Sequence, residues 1–416
     1  MKKELTASQT TKRQTLKMSS ALAATVALGG TASRAFAQKK YDPGATDKVI
    51  KFGQTMPYSG PASAYATIGK CETAYFNMIN EQGGVNGRKL EFISLDDGYA
   101  PPKTVEMTRK LVEQDEVLFI YGMLGTPPNS AVHKYLNGKK IPHIFLATGA
   151  SKWNDPKNHP WTIGWQPNYQ SESKVYAAHL LKNTPNAKIA ILYQNDDYGK
   201  DYLKGFKDGL GDKAKTMVVS EVSYEVTDPT IDSQIVTLKG SGADVFFNIT
   251  TPKFAAQAIR KVADIGWKVT HYLNQVSASI GSVLTPAGLD KSVGLISMQY
   301  LKDPNDKKWA NDAGLKDWLA FMKKYYPTGD LVDASNVYGY CSAQTLVHTL
   351  KACGDDLTRA NVMKQATNIK SLQLPMAIPG VAISTTPEDF APFQSMQLTK
   401  FDGNQWVDFG DVIHVR

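Results

Sequence analysis

The sequence predicts an α/β protein of two units, each with a mostly parallel β-sheet flanked by helices. Two observations carry this prediction. Apolar, strand-like runs alternate with helical patterns from Lys48 onward, and the alternation starts again near His159. The length of 416 residues also exceeds what one hydrophobic core usually serves. Such alternation favours a parallel sheet covered on both faces, and the sequence has no short repeat that would indicate a solenoid.

The first unit begins with the strand-like run VIKFGQ and a helix expected from near Ala62. Apolar residues of this helix recur at three- and four-residue spacing, and GGVNG at 83–87 is typical of a helix end followed by a tight turn. The next expected elements are the strand RKLEFISLD, the helix PKTVEMTRKLVEQ, the strand VLFIYG, the helix NSAVHKYLN and the strand PHIFLAT.

The second unit is expected to begin with HPWTIGW and a helix near 172–182. The strand KIAILYQ follows, then TMVVSEVSY, DVFFNI and VTHYLN alternating with helices, then VGLISMQYL. Further helices are expected at roughly 306–325, 334–352 and 358–366. Two strand-like runs around Asp402-Gly403 end the chain, and this dipeptide favours a β-hairpin.

Residues 1–37 are typical of an export signal peptide. They combine a basic start, the mild apolar run ALAATVALGG and small residues before a cleavage position near Ala37. The stretch TKRQTLK resembles the twin-arginine export motif, with Lys12 in place of the first arginine, so the export route stays open. The apolar run is too short to span a bilayer, and we expect no membrane insertion of the mature chain.

Most of the excess positive charge lies in the same segment. Residues 1–37 contain six basic residues and one acidic residue, and so supply +5 of the formal net charge of +8. The rest of the chain has no polybasic stripe, which argues against a nucleic-acid partner.

The sequence lacks the common motifs of catalysis and cofactor binding. It contains no P-loop, dinucleotide fingerprint, HExxH or GxSxG motif, and its seven histidines are scattered. Cys71, Cys341 and Cys353 have no metal-binding spacing. The last two, on one predicted helix, would lie about 18 Å apart, too far for a disulfide. We therefore expect core thiols, no metal and no cofactor.

Two acidic pairs follow predicted strands, in LDDGYAP at 95–101 and in QNDDYGK at 194–200. Adjacent carboxylates could bind a cation or act as acid and base. An aspartate at a strand end more often caps the following helix or forms a turn. We favour capping over catalysis for both pairs.

Four loops of small residues follow predicted parallel strands: YSGPASAY, GMLGTPPNS, LATGAS and NDDYG. Ligands bind at this edge of open α/β sheets. Hydroxyl groups and free amides suit a carboxylate or another small anion, and aromatic residues suit an apolar body beside it. We expect Ser59, Gly60 and Tyr65 at the ligand-binding edge. The alternative is an ordinary helix cap with Tyr65 in the core.

With these loops placed, the sequence resembles the periplasmic branched-chain amino-acid-binding protein family, the leucine-binding-protein-like solute-binding components of ABC importers. The resemblance spans roughly residues 48–410 and is strongest in YSGPASAY (58–65), INEQGGVNGRKLEF (79–92), DDGYAPPKTVEMTRKLV (96–112) and ILYQNDDYGKDYLKGFKDGL (191–210). It implies the two-lobed type I periplasmic binding fold, with three crossing segments between the lobes.

The resemblance also implies domain boundaries. After the signal peptide and an N-terminal linker at 38–47, lobe 1 comprises 48–165 and 300–390, and lobe 2 comprises 166–299 and 391–416. The crossings fall near 165–168, 297–301 and 389–394.

By the same resemblance, the ligand lies between the lobes. The positions implied for binding are two carboxylate-holding loops and one aromatic residue from each lobe: Gly125, Thr126, Thr148, Gly149, Tyr65 and Tyr198. Trp165, at the first crossing, is either a cleft residue or part of the core and hinge packing.

The stretch YLNQVSAS (272–279) departs from the amino-acid-binding members. They have an acidic side chain where this chain has Gln275. A buried ammonium group without a carboxylate partner is poorly compensated. We therefore expect an amine-free carboxylate, aromatic or aliphatic, as the ligand, with an amino acid as the alternative.

Together these inferences predict an exported, periplasmic, non-enzymatic protein that acts as a monomer. Its expected partners are a small-molecule ligand and an ABC-type membrane permease. A sensor that presents its ligand-bound form to a membrane receptor would have the same soluble chain. An enzyme using Asp196 and Asp197 is disfavoured because the sequence supplies no catalytic partners for them.

Overall fold

The computed structural model of the protein describes residues 39–415. The proposed export segment, including Lys12 and the cleavage position near Ala37, lies outside the described residues. The strands are β1 (Lys40–Tyr41), β2 (Val49–Met56), β3 (Lys89–Asp96), β4 (Ile120–Tyr121), β5 (His143–Leu146), β6 (Thr162–Gly164), β7 (Ile189–Gln194), β8 (Val218–Tyr224), β9 (Val245–Ile249), β10 (Thr270–Leu273), β11 (Ile296–Gln299), β12 (Asp356–Leu357), β13 (Ser395–Phe401) and β14 (Trp406–His414).

The helices alternate with the strands as the sequence pattern predicts. They are α1 (Ala66–Glu81), α2 (Pro101–Arg109), α3 (Thr126–Gly138), α4 (Tyr169–Asn183), α5 (Asp197–Leu210), α6 (Ala214–Met217), α7 (Asp232–Gly240), α8 (Pro252–Asp264), α9 (Thr285–Ala287), α10 (Ala313–Tyr325), α11 (Ala334–Cys353) and α12 (Arg359–Ala366).

The first sheet has five strands in the order β3-β2-β4-β5-β6, and all of its pairs are parallel. Phe52 of β2 lies at its centre, fully buried, stacked on Phe119 at 5.0 Å between ring centroids and edge-on to Phe76 of α1 at 5.1 Å. Helix α11 also packs on α1. Helix α11, far along the chain from β2, therefore belongs to the same hydrophobic core as the first sheet.

The second sheet has seven strands in the order β14-β13-β11-β10-β9-β7-β8. Its strands from β7 to β11 pair in parallel, whereas β13 runs antiparallel to β11 and to β14. The predicted hairpin around Asp402-Gly403 joins β13 to β14. The prediction of two α/β units with mostly parallel sheets is confirmed.

Some local expectations differ from the structure. Part of the segment expected as a linker, 38–47, is strand β1, whose backbone pairs in parallel with β12. The helix expected from Ala62 begins at Ala66 because the preceding residues form a 3₁₀ turn, Ser63–Tyr65. The helix expected at 306–325 begins only at Ala313, where the Asp312 side chain accepts a hydrogen bond from the Leu315 amide.

The three cysteines are buried and free, as expected of core thiols. Among the described residues there is no helix with the length and apolar composition that a bilayer crossing requires.

The sheet topology determines where a ligand can bind. The carboxyl ends of β2, β4 and β5 in the first sheet and of β7, β9, β10 and β11 in the second lead into loops that line one shared cavity. This is the edge at which open parallel sheets bind ligands.

Candidate functional site

A cavity between the two sheets contains about 930 Å³ of space, including its opening. Most of its surface is apolar or aromatic, with five tyrosines among the lining residues: Tyr65, Tyr99, Tyr169, Tyr198 and Tyr338. This composition is that of a small-molecule site.

Tyr65 reaches across the cavity from the first sheet. The 3₁₀ turn before α1 carries it, and its hydroxyl donates a hydrogen bond to the Val276 carbonyl oxygen of the second sheet's loop at 3.0 Å. Burial raises the pKa of Tyr65 well above its ordinary value, so the hydroxyl stays protonated and can donate. Ser59, expected beside it, is exposed and bonded instead to Asp96, with 2.6 Å from Ser59 Oγ to Asp96 Oδ2.

The loop after β4 supplies Gly125 and Thr126 to the cavity wall. Gly125 has φ +94° and ψ 143°, a conformation that L side chains rarely adopt, and it lies against the ring of Tyr99. Thr126 opens α3, and the next two residues are prolines without N–H groups. The backbone amide of Thr126 is therefore the donor that this helix start offers.

Thr148 and Gly149 lie behind the wall and support it. The Thr148 Oγ1 is 2.6 Å from the Thr126 Oγ1, and it also accepts from the Trp153 indole at 3.3 Å. The Gly149 carbonyl accepts from the Tyr169 amide, and a Cβ on Gly149 would lie 2.2 Å from the Pro167 oxygen. These residues position Thr126 and Tyr169 rather than face the cavity.

Tyr198 lines the cavity from the second sheet, at the start of α5. Its hydroxyl oxygen accepts from the Asn274 side chain at 2.6 Å, which leaves its own proton to donate. Asp196 caps α5 by accepting from the amides of Tyr198 and Gly199. The neighbouring Asp197 pairs with Lys152 at 2.6 Å.

The other acidic pair, Asp96 and Asp97, also accepts hydrogen bonds that hold the local backbone. Asp97 accepts from the Tyr99 amide and from the Thr55 hydroxyl, both at 2.9 Å. Asp96 accepts from Ser59 and from the Gly98 amide. The capping interpretation thus fits both pairs better than acid–base chemistry does.

Gln275 follows β10 and lines the cavity. Its backbone amide donates to Glu172 Oε1 at 2.8 Å. Glu172 is buried, also accepts from the hydroxyls of Tyr176 and Tyr202, and burial raises the pKa of its carboxyl to about 7. Glu172 thus anchors the loop that presents the Gln275 side chain.

Trp165 does not reach the cavity wall. It is fully buried and packs edge-on against Tyr338 at 4.7 Å and Phe393 at 5.1 Å between ring centroids. Its indole nitrogen donates to the Thr345 hydroxyl at 3.0 Å. The structure supports the core-packing alternative for this residue.

Several cavity residues were missed by sequence reasoning. Tyr99 follows a predicted strand within LDDGYAP, and that position could have drawn attention to it. Tyr338 on α11, Asp303 after β11 and Trp406 at the start of β14 arrive through long-range packing, for which one sequence carries no signal.

The charged residues of the cavity wall are Lys302 and Asp303. The Lys302 ammonium is already engaged, 2.7 Å from an Asp312 oxygen and 2.8 Å from the Pro375 carbonyl oxygen. Burial raises the pKa of the Asp303 carboxyl to about 6. The described part of the chain contains no group of three or more His, Cys, Asp or Glu residues placed to hold a metal ion.

Contacts join the two sheets' loops on either side of the cavity. The Ser279 hydroxyl donates to Asp333 Oδ1 at 2.8 Å, and Asp333 caps α11. On another side, Asp201 of α5 accepts from the amide of Ser151 at 2.8 Å and from its hydroxyl at 2.6 Å. Each contact links a loop of the first sheet's unit to a loop or helix of the second.

Comparison with known proteins adds a family and a set of structural neighbours. A family model described as periplasmic binding protein matches residues 49–405. A Leu/Ile/Val-binding protein homolog 1 of Brucella suis is 25% identical over 372 residues, which cover 86% of this chain and 90% of the relative. An amino acid binding protein of Pseudomonas aeruginosa is 22% identical over 284 residues, 66% of this chain and 71% of the relative.

The solved structures share the fold at low sequence identity. A branched chain amino acid ABC transporter protein of Thermus thermophilus with bound valine superposes with a TM-score of 0.79 at 14% identity, covering 89% and 97% of the two chains. A fatty acid ABC transporter substrate-binding protein of Thermomonospora curvata gives 0.76 at 22%, with 90% and 95% covered. A solute binding protein of Rhodopseudomonas palustris in complex with 3,4-dihydroxy benzoic acid gives 0.73 at 19%, with 88% and 98% covered.

Proposed function

The chain belongs to the periplasmic binding protein family, and on that premise we propose that it captures a small organic carboxylate, aromatic or aliphatic, for an ABC importer. Its fold is the two-lobed type I periplasmic binding fold, and the protein is of the ABC-transporter substrate-binding type. In this proposal the protein acts in the periplasm as a monomer. Its partner is a membrane permease, and it binds its ligand without turnover.

The proposal about the ligand rests on the residues that line the cavity. The names of three structural neighbours mention valine, a fatty acid and 3,4-dihydroxy benzoic acid. The fold alone therefore does not determine which kind of ligand is bound. The wall here is mostly apolar and aromatic, which suits the body of such an acid. Thr126, at the start of α3, and the Tyr198 hydroxyl supply neutral donors for its carboxylate.

The neutral side chain of Gln275 argues against an amino group beside that carboxylate. An ammonium group buried there would have an amide in place of a counter-charge. One observation favours the second candidate, an amino acid. Asp303 is a buried carboxylate on the same cavity wall, and it could pair with an ammonium group placed elsewhere on the ligand.

Capture is proposed to work by closure of the two lobes. A ligand held by both walls stabilises the arrangement in which the contacts from Tyr65 to Val276 and from Ser151 to Asp201 form. A membrane permease would then recognise the closed surface.

Thermal unfolding of the purified chain against a ligand panel tests the proposal. Benzoate-like, cinnamate-like and aliphatic acids should raise the midpoint by a few degrees, because a ligand that binds only the folded state stabilises it by about 2.7 kcal/mol at 100 times its Kd. Leucine, isoleucine and valine should leave it unchanged. A rise with these amino acids alone would reject the organic acid and favour the second candidate.

The contact between Ser151 and Asp201 provides a test of closure. Replacing Asp201 with alanine removes two hydrogen bonds to Ser151, and we expect the ligand Kd to rise about tenfold because the closed state loses stability. Lys200→Ala is the matched control, since it changes an exposed neighbour on the same helix. Small-angle scattering should show a larger radius of gyration for Asp201→Ala with ligand present. Equal affinity of the two variants would argue against this contact as part of closure.

A further inference from the structure

Two glutamines, Gln275 and Gln299, line the same cavity. Strands β10 and β11 are parallel, with Tyr272 opposite Ile296, and the 3₁₀ turn Gln275–Ser277 that follows β10 packs against β11, which ends at Gln299. Gln299 is only 9% exposed, and Gln275 is half-buried. Neither side-chain amide has a hydrogen-bond partner among residues 39–415. Buried amides normally have partners, so the Gln299 side chain points to a ligand group.

Asp303 adds an acceptor to the same wall, four residues after Gln299. It is 4% exposed, and its Oδ1 accepts from the amide and the side chain of Asn305, both at 2.8 Å. Its Oδ2 accepts no hydrogen bond from any described residue. The first oxygen thus holds the local turn, while the second is left to receive a donor from the cavity.

The lysine side chains near Asp303 already have other partners. The Lys302 ammonium is held by Asp312 and the Pro375 carbonyl oxygen. Lys308 pairs with Asp306 and Asp408, the two carboxylates whose charge acts on Asp303. The remaining oxygen of Asp303 therefore has no cationic partner in the described part of the fold. Its raised pKa agrees with a buried carboxyl that lacks one.

We infer that Gln275, Gln299 and Asp303 form a polar subsite that binds a hydroxyl group of the ligand, so that the transported acid is a hydroxylated carboxylic acid. The inference rests on the proposed function, because it assumes that an organic acid occupies the cavity. A hydroxyl both donates and accepts. It can donate to Asp303 Oδ2 and accept from a glutamine amide, which satisfies both kinds of group with one small substituent.

Calorimetric titration of the full chain with matched acids tests this subsite. The pairs are 4-hydroxybenzoate against benzoate and 6-hydroxyhexanoate against hexanoate, with 4-aminobenzoate and 6-aminohexanoate as a third arm. The hydroxylated member of at least one pair should bind about tenfold tighter or more, because the unsubstituted acid leaves buried polar groups unpaired. The hydroxylated acid should also bind more tightly than the matching amino-substituted acid.

Variants of the subsite should remove this preference. In Gln299→Met and in Asp303→Asn the ratio of the affinities for the hydroxylated and the unsubstituted acid should fall toward one. Asparagine keeps an acceptor for the Asn305 amide, so the turn should survive. Gln397→Met is the matched control, since Gln397 pairs with Gln299 between β11 and β13 but lies off the cavity wall. If Gln299→Met fails to fold, Gln275→Met gives the same test.

The outcomes separate the subsite from the proposed function. Equal binding of hydroxylated and unsubstituted acids, or a preference that both variants retain, overturns the subsite and leaves the organic-acid proposal standing. Tighter binding of the amino-substituted acid overturns the hydroxyl assignment in favour of an amino group that donates to Asp303. Binding of no acid in any arm rejects the proposed function, and the subsite with it.

Discussion

Replacing Gly125 with alanine should lower the free energy of unfolding by about 2–6 kcal/mol and weaken ligand binding by at least about tenfold. Two effects add. The backbone at Gly125 has φ +94°, which costs about 1–3 kcal/mol in a residue with a Cβ. The new Cβ would also lie 2.3 Å from the Tyr99 ring, and overpacking of this kind costs about 1–3 kcal/mol.

The effect on binding follows because both residues line the cavity. Tyr99 is buried, so its ring can relieve the clash only by moving along the wall or into the cavity. Denaturant unfolding and calorimetric titration with the acid found in the panel would measure the two effects.

Gly87 offers a matched control for backbone strain alone. It has a similar φ of +79°, and a Cβ there would meet nothing within 4 Å. Gly87→Ala should therefore lose about 1–3 kcal/mol of stability and keep the wild-type ligand affinity. Wild-type affinity in Gly125→Ala would contradict the assignment of this loop to the binding wall. Restoration of binding by a smaller side chain at Tyr99 would confirm that the clash, not the strain, blocks the ligand.

The sequence predicts the architecture well because it depends on local periodicity. Strand-like and helical patterns alternate over long stretches, and each apolar face has to be buried against a neighbour. The short strands are less visible. VLFIYG reads as one buried run, but only Ile120–Tyr121 pairs as a strand, because pairing depends on neighbours rather than on composition.

The candidate site could likewise be predicted only in part from the sequence. Gly125, Thr126 and Tyr198 lie on the cavity wall because loops after parallel strands share one edge. Thr148 belongs to such a loop too, but its hydroxyl turns toward Thr126, and nothing in the local sequence indicates this. Asp303 comes to the wall through the packing of distant segments. Side-chain direction and long-range packing are therefore what the sequence leaves undetermined.

Replacing Trp165 with alanine should lower the free energy of unfolding by about 3–5 kcal/mol, the usual cost of removing a large buried aromatic side chain. Trp165 is fully buried and contacts the rings of Tyr338 and Phe393, which come from distant parts of the chain. A cavity left here would loosen the segment that joins the two sheets. Denaturant unfolding of the ligand-free protein would measure the loss.

Trp165→Phe separates packing from hydrogen bonding. It keeps most of the ring contacts and removes the indole bond to Thr345, so it should cost only about 1 kcal/mol beyond the loss of ring volume. Binding should also weaken in Trp165→Ala. Tyr338 packs on Trp165, lines the cavity and donates to Gln166 Oε1 at 3.0 Å, so its ring loses support on one side. If Trp165→Ala kept wild-type stability but lost ligand affinity, Trp165 would act as a cleft residue. The loss of both is what its position beneath the wall predicts, because the same ring supports the core and the tyrosine that faces the ligand.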